Sequence, residues 1–85
     1  MDTQTLKEMI NNSTWVSLND NKVFKFSNNR EVEINGINQL NYTLQSRNNT
    51  TILSIDNEGN YTVDYLNDFN LKLYNEAEQF YITPY

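Results

Sequence analysis

The chain has 85 residues, a net charge of −5 from eleven acidic and six basic side chains, and neither cysteine nor histidine. That length suits a single domain over residues 1–85 with a modest core and a stability on the order of a few kcal/mol. Disulfides, thiolate nucleophiles and the best transition-metal ligands are excluded, and the acidic balance disfavours nucleic-acid phosphates and anionic membranes while favouring a basic partner.

The amino terminus, MDTQTLKEMINNST, lacks a basic stretch followed by an apolar run, and no segment approaches the ~20 apolar residues of a membrane span. A cytoplasmic location with no membrane partner is the expectation. Residues 2–11 read as a short helix. Thr5 and Glu8 have capping-box spacing, and Leu6, Met9 and Ile10 fall on one face, giving an apolar stripe that some other element must cover. Asn11-Asn12-Ser13 ends it.

From Thr14 the pattern changes to alternation, with apolar residues on every second position of eight short segments. These are Thr14–Asn19, Lys22–Ser27, Glu31–Asn35, Gln39–Ser46, Thr51–Asp56, Asn60–Leu66, Phe69–Tyr74 and Gln79–Thr83. Opposed residues of an antiparallel pair share a face, so turn lengths can be chosen that keep one apolar face continuous. A two-residue turn at Asp20-Asn21 sets Trp15 against Phe26 and Ser17 against Phe24. Asn28-Asn29-Arg30 then sets Phe26 against Val32 and Phe24 against Ile34, with Lys25 opposite Glu33 outside. Gly36-Ile37-Asn38 joins Ile34 to Leu40, and Asn48-Asn49 sets Leu44 against Leu53. Asn57-Glu58-Gly59, with Gly59 in the left-handed position, sets Ile55 against Tyr61 and Leu53 against Val63. Leu66-Asn67-Asp68 sets Tyr65 against Phe69 and Val63 against Leu71, and Asn75-Glu76-Ala77-Glu78 sets Leu73 against Phe80. Many of the sixteen asparagines fall in these turns, where Asn tolerates positive φ.

A meander with one apolar face must bury it, by closure into a barrel or by folding over as a sandwich, and closure also removes the sheet edges. The predicted fold is therefore all-β: an eight-stranded antiparallel up-and-down meander over residues 14–84, closed as a small barrel and capped by the amino-terminal helix. The last strand would pair with the first around Trp15. Such a pattern, with a helical turn and then Ser13-Thr14-Trp15 at the start of the first strand, resembles the lipocalin-like, or calycin, barrels, whose Gly-x-Trp motif is here Ser-Thr-Trp. The resemblance implies that Trp15 closes the helix-capped end and that the barrel could carry a small apolar or aromatic molecule.

The residues themselves offer little chemistry. Asp20, Asp56, Glu58, Asp68, Glu76 and Glu78 map to turns and Glu31, Glu33 and Asp64 to the outer face, so no acid pair is placed in a desolvated cleft. Asp56-Asn57-Glu58-Gly59-Asn60 is too short for a calcium loop and is explained by hairpin chemistry. Neither enzyme activity nor a metal or cofactor is expected. With Trp15, Phe24, Phe26, Tyr42, Tyr61, Tyr65, Phe69 and Phe80 all directed inward, the interior should be largely filled, leaving Trp15, Tyr42, Tyr61 and Tyr65 as the residues that would line any ligand space. Outside, Val16, Leu18, Val23, Ile52, Leu66, Tyr74, Tyr81 and Tyr85 break the polar alternation. Val16, Leu18, Tyr81 and Tyr85 would meet where the first and last strands join, a partner or self-association surface unless the helix folds back over it. The expected function is a non-enzymatic binding module acting through its outer surface, of inhibitor, immunity or adaptor type; the alternative is a lipocalin-like carrier.

Overall fold

The computed structural model describes residues 3–67 and 70–85, and of Asn38 the backbone alone. One helix, α1 (Thr3–Ile10), precedes strands β1 (Thr14–Ser17), β2 (Val23–Ser27), β3 (Glu31–Ile34), β4 (Ile37–Arg47), β5 (Thr50–Ile55), β6 (Gly59–Asn67), β7 (Asn70–Tyr74) and β8 (Gln79–Pro84). Each strand pairs antiparallel with its neighbour in sequence, and β1 also pairs with β8, so the sheet is a closed eight-stranded barrel. Closure pairs Trp15 with Pro84, Val16 with Thr83 and Ser17 with Ile82. Proline at that terminal position sacrifices little of the ladder.

Alternation decides which side chains enter the barrel. Trp15, Phe24, Phe26, Val32, Tyr42, Leu53, Ile55, Tyr61, Leu71, Leu73, Phe80 and Ile82 are all buried. The helix closes one mouth by adding Leu6 and Ile10, one turn apart, to that core. It is held there from both sides. The Ser13 hydroxyl donates back to the Ile10 carbonyl and accepts from the Trp15 indole Nε1 at 2.9 Å, while the side-chain oxygens of Asn11 and Asn12 accept from the backbone N–H groups of Asn29 and Asn28 in the β2–β3 turn.

The registers of β2–β3, β4–β5 and β7–β8 are those the apolar sets require, including Lys25 opposite Glu33, Leu44 opposite Leu53 and Leu73 opposite Phe80. Four other hairpins differ from the sequence expectation by a slide of two residues, which keeps every face and changes only the partners. Trp15 faces Phe24 rather than Phe26, because Asn21 takes the left-handed conformation and its N–H closes a longer turn onto the Ser17 carbonyl. Val32 rather than Ile34 faces Leu40, because Asn35-Gly36, both at positive φ, make a two-residue turn that displaces the expected Gly36-Ile37-Asn38 loop. Leu53 faces Tyr61 because Asn57 takes the left-handed conformation within the turn, and Gly59, itself at positive φ, pairs with Ile55 as the first residue of β6. Tyr65 faces Leu71, with a bulge before Asn67, so Leu66 and Asn67 belong to β6 rather than to a loop; Asp68 and Phe69 lie outside the described residues.

Every non-glycine residue described at positive φ is an asparagine: Asn12, Asn21, Asn28, Asn29, Asn35, Asn48, Asn49 and Asn57. The abundance of this residue is thus used by the fold, since Asn is among the few side chains that enter the left-handed region at low cost.

Trp15 is 2 % exposed and ties the core to the helix. Trp15→Ala should therefore cost about 3–5 kcal/mol and unfold much of the population. Urea denaturation followed by circular dichroism measures the loss; a native fluorescence maximum equal to that of free tryptophan would contradict the burial from which it follows.

Candidate functional site

Four regions can be weighed as sites: the barrel interior, the mouth opposite the helix, the outer seam of β1 and β8, and a cleft beside the helix-capped end. The interior is threaded by rings in sequence. Tyr42 meets Phe26 edge-on with centroids 5.3 Å apart, Phe26 stacks with Phe24 at 6.4 Å, Phe24 meets Phe80 at 5.8 Å and Phe80 meets Tyr61 at 5.9 Å. These spacings are those of packed aromatic contacts, so the axis of the barrel is occupied by its own side chains. Trp15, Tyr42 and Tyr61, expected to line any ligand space, are in this core. Tyr65 is not. It is 45 % exposed, because β6 runs past the end of the β5–β6 ladder and carries an inward-phased residue beyond the part of the barrel that can cover it.

Two of the interior phenols are held away from their ordinary behaviour. Burial raises the pKa of Tyr42, whose hydroxyl is buried with no hydrogen-bond partner among the described residues. Burial also raises that of Tyr61, helped by the bond its hydroxyl donates to Glu78 Oε2 at 2.8 Å and by the negative charges of Glu78 and Glu58.

That Tyr61–Glu78 bond belongs to a polar seal over the mouth opposite the helix. Lys22, from the β1–β2 loop, stands 4.9 Å over the Phe80 ring and 3.7 Å from a Glu58 carboxylate oxygen. Asn19 Oδ1 accepts from the Tyr81 N–H and the Ser17 hydroxyl while its Nδ2 donates to the Gln79 carbonyl. Asn75 Oδ1 accepts from the backbone of Ala77 and Glu78, and its Nδ2 donates to the Asn60 carbonyl. Three loops are thereby stitched together, and the bonds are internal ones. The partly exposed ion pair itself contributes only about half a kcal/mol.

On the outer face, the four residues expected at the seam are brought together by the β1–β8 ladder. The Leu18 N–H donates to the Tyr81 carbonyl at 2.7 Å, Val16 faces Thr83, and the Tyr85 N–H donates to the Thr14 carbonyl at 2.9 Å. Leu18 is 64 % and Tyr85 85 % exposed, while Val16 and Tyr81 are half-buried. The helix does not cover them; its buried residues belong to the barrel core. Sequence reasoning missed Lys72. It faces Tyr81 across the β7–β8 ladder, and its ammonium lies 4.9 Å from the centroid of Tyr74 and 5.6 Å from that of Tyr81. The alternation of Lys72 with Tyr74 on one strand face would have flagged it.

The remaining feature is a cleft of about 350 Å³ lined by Asn49, Thr50, Thr51, Val63, Asp64 and Tyr65. A second, of about 310 Å³, follows the turn from Asn75 to Gln79. Neither touches Trp15, Tyr42 or Tyr61. Among the described residues no group of three or more acidic side chains is gathered in a way that could hold a metal ion, and no helix is long and apolar enough to cross a membrane. No family model, no curated protein and no solved structure matches the chain.

Alkaline pH should expose the burial of the two phenols. Their folded-state pKa values lie above the ordinary 10.0, so this contribution to stability is complete below about pH 10 and is lost as pH rises through the folded-state values. The urea midpoint is expected to fall above about pH 10, and Tyr61→Phe should flatten that fall. A midpoint independent of pH in this range would contradict it.

Proposed function

We propose that this protein is a non-enzymatic binding module that engages a protein partner, of basic character, through the outer surface at the β1–β8 seam. A chain without cysteine suits a cytosolic setting, and an inhibitor, immunity-type or adaptor role agrees with its size. The observation that carries the reading is the exposure of Leu18 and Tyr85 beside Tyr81 and Val16 on adjacent strands. Aromatic side chains give large contact area for little lost rotamer freedom and are favoured interface anchors. Charge adds to it: the net −5 would hasten encounter with a basic surface.

A second reading, the lipocalin-like carrier, draws on one observation, the unpartnered Tyr42 hydroxyl inside the barrel. A ligand acceptor would satisfy it. Against this stands the continuous file of rings through the interior, which leaves such a ligand no lined space without rearrangement of the core.

Two variants separate these readings. Tyr81→Ala combined with Tyr85→Ala should abolish capture of the partner while leaving the circular dichroism spectrum intact, since neither side chain belongs to the core. Tyr42→Phe should leave capture unchanged and be neutral or slightly stabilising, because it removes a buried hydroxyl that bonds to nothing. Normal capture by the double variant, together with loss of activity in Tyr42→Phe, would replace the surface reading with the carrier.

A further inference from the structure

Pairing between β5 and β6 ends at Thr51 and Val63. Beyond that point β5 turns through Asn48-Asn49 into β4, while β6 continues to Asn67 against β7 alone, so the two hairpin tips diverge and the cleft opens between them. Its floor is inward-phased, with Thr51, Val63 and the half-exposed ring of Tyr65, and its outer lip carries Thr50 and Asp64.

Asp64 is the unusual member. Its cross-strand neighbour is Lys72, and a carboxylate opposite an ammonium would ordinarily pair with it. Lys72 instead turns away onto the rings of Tyr74 and Tyr81. Among the described residues the ion pair is Lys22 with Glu58, and Asp64 has neither an ion pair nor a side-chain hydrogen bond. Arg47, facing Thr50 on the same outer row, makes no ion pair with it either. An uncommitted carboxylate therefore stands at the lip of a cleft with an aromatic ring in its wall, in a protein of net charge −5.

We propose that this cleft seats a cationic side chain, a guanidinium or ammonium group presented by the protein partner, with Asp64 as its counter-ion and the Tyr65 ring as the surface on which it lies. Carboxylate and ring face are the two groups that recognise such a cation, the first by charge-assisted hydrogen bonds and the second through its quadrupole. The proposal rests on the surface-binding reading and extends it. Leu18, Tyr81, Lys72 and Asp64 form one continuous outer row across β1, β8, β7 and β6, so the cleft is joined to the seam by three strand steps around the barrel. The partner would present an apolar patch to the seam and a basic residue to the cleft.

The test titrates the full chain, labelled with nitrogen-15, with ethylguanidinium, with butylammonium and with methyl glucoside, and follows the amide resonances. The expected result is a saturable shift confined to Asn49, Thr50, Asp64 and Tyr65 with either cation, weakened by added salt and absent with the glucoside. Asp64→Asn, at an exposed position, should weaken it about two- to fivefold and leave the rest of the spectrum in place. Shifts with the glucoside alone, shifts unaffected by Asp64→Asn, or no localised shift at all would each overturn the proposal. Tyr81→Ala with Tyr85→Ala keeps the two readings apart. A cation response that survives in that variant while partner capture is lost supports both, lost capture with no cation response in either chain removes the cleft alone, and a cation response with undiminished capture removes the seam alone.

Discussion

Strands of four to eleven residues cannot bury an apolar face as an open sheet of this size, so the structure depends on the ladder that joins β1 to β8. Once that ladder forms, every apolar face is turned to one axis and no sheet edge is left for another chain to extend. The core is then short of material to fill the open mouth. Leu6 and Ile10 of the helix supply it, and Trp15, through Ser13, fixes the helix to the strand that closes the ring.

The two mouths are finished by different physics. At the helical end the seal is apolar and the hydrogen bonds serve mainly to fix the angle at which the helix enters. At the other end no helix is present, and asparagine amides, one lysine and two glutamates tie three loops together over Phe80 and Tyr61. With both mouths shut and rings along the axis, the surfaces left for recognition are the outer faces and the places where strands part. Both proposals arise from that elimination together with particular side chains: apolar ones where β1 meets β8, and, where β5 leaves β6, a carboxylate unpaired among the described residues.

Which residues face the core was legible in the sequence because alternation has period two. How far one strand slides along the next was legible only where the turn left a single choice. Asn48-Asn49 did so, as did the Lys25–Glu33 pair outside. At the four displaced hairpins a slide of two preserves every face, and at the three whose turns hold Asn21, Asn35-Gly36 and Asn57 the deciding fact is which residue takes positive φ. At the β5–β6 turn both Asn57 and Gly59 take positive φ, and the left-handed residue inside the turn is Asn57. Asn35-Gly36 is a dipeptide suited to a two-residue turn, and the longer Gly36-Ile37-Asn38 loop keeps the same apolar faces, so alternation does not choose between them. Tyr65 was phased correctly and exposed nonetheless, since alternation gives direction and not the length of the neighbour that must cover it. The orientation of Lys72 toward tyrosines rather than Asp64 is a choice between two adjacent partners, and strand pattern alone does not decide it.

The bond from the Tyr85 N–H to the Thr14 carbonyl makes the last residue a direct neighbour of the first barrel residue. Topologically the meander is then a ring with an arbitrary cut, and the order in which its strands are synthesised is not a property of the closed object. A linker from Tyr85 to the start of α1, with a new opening at the exposed Asn48-Asn49 turn, would preserve every strand pair and keep the helix. For the same reason both ends of the barrel segment emerge at one mouth, so the whole unit could sit inside a loop of a larger chain without prising that loop apart.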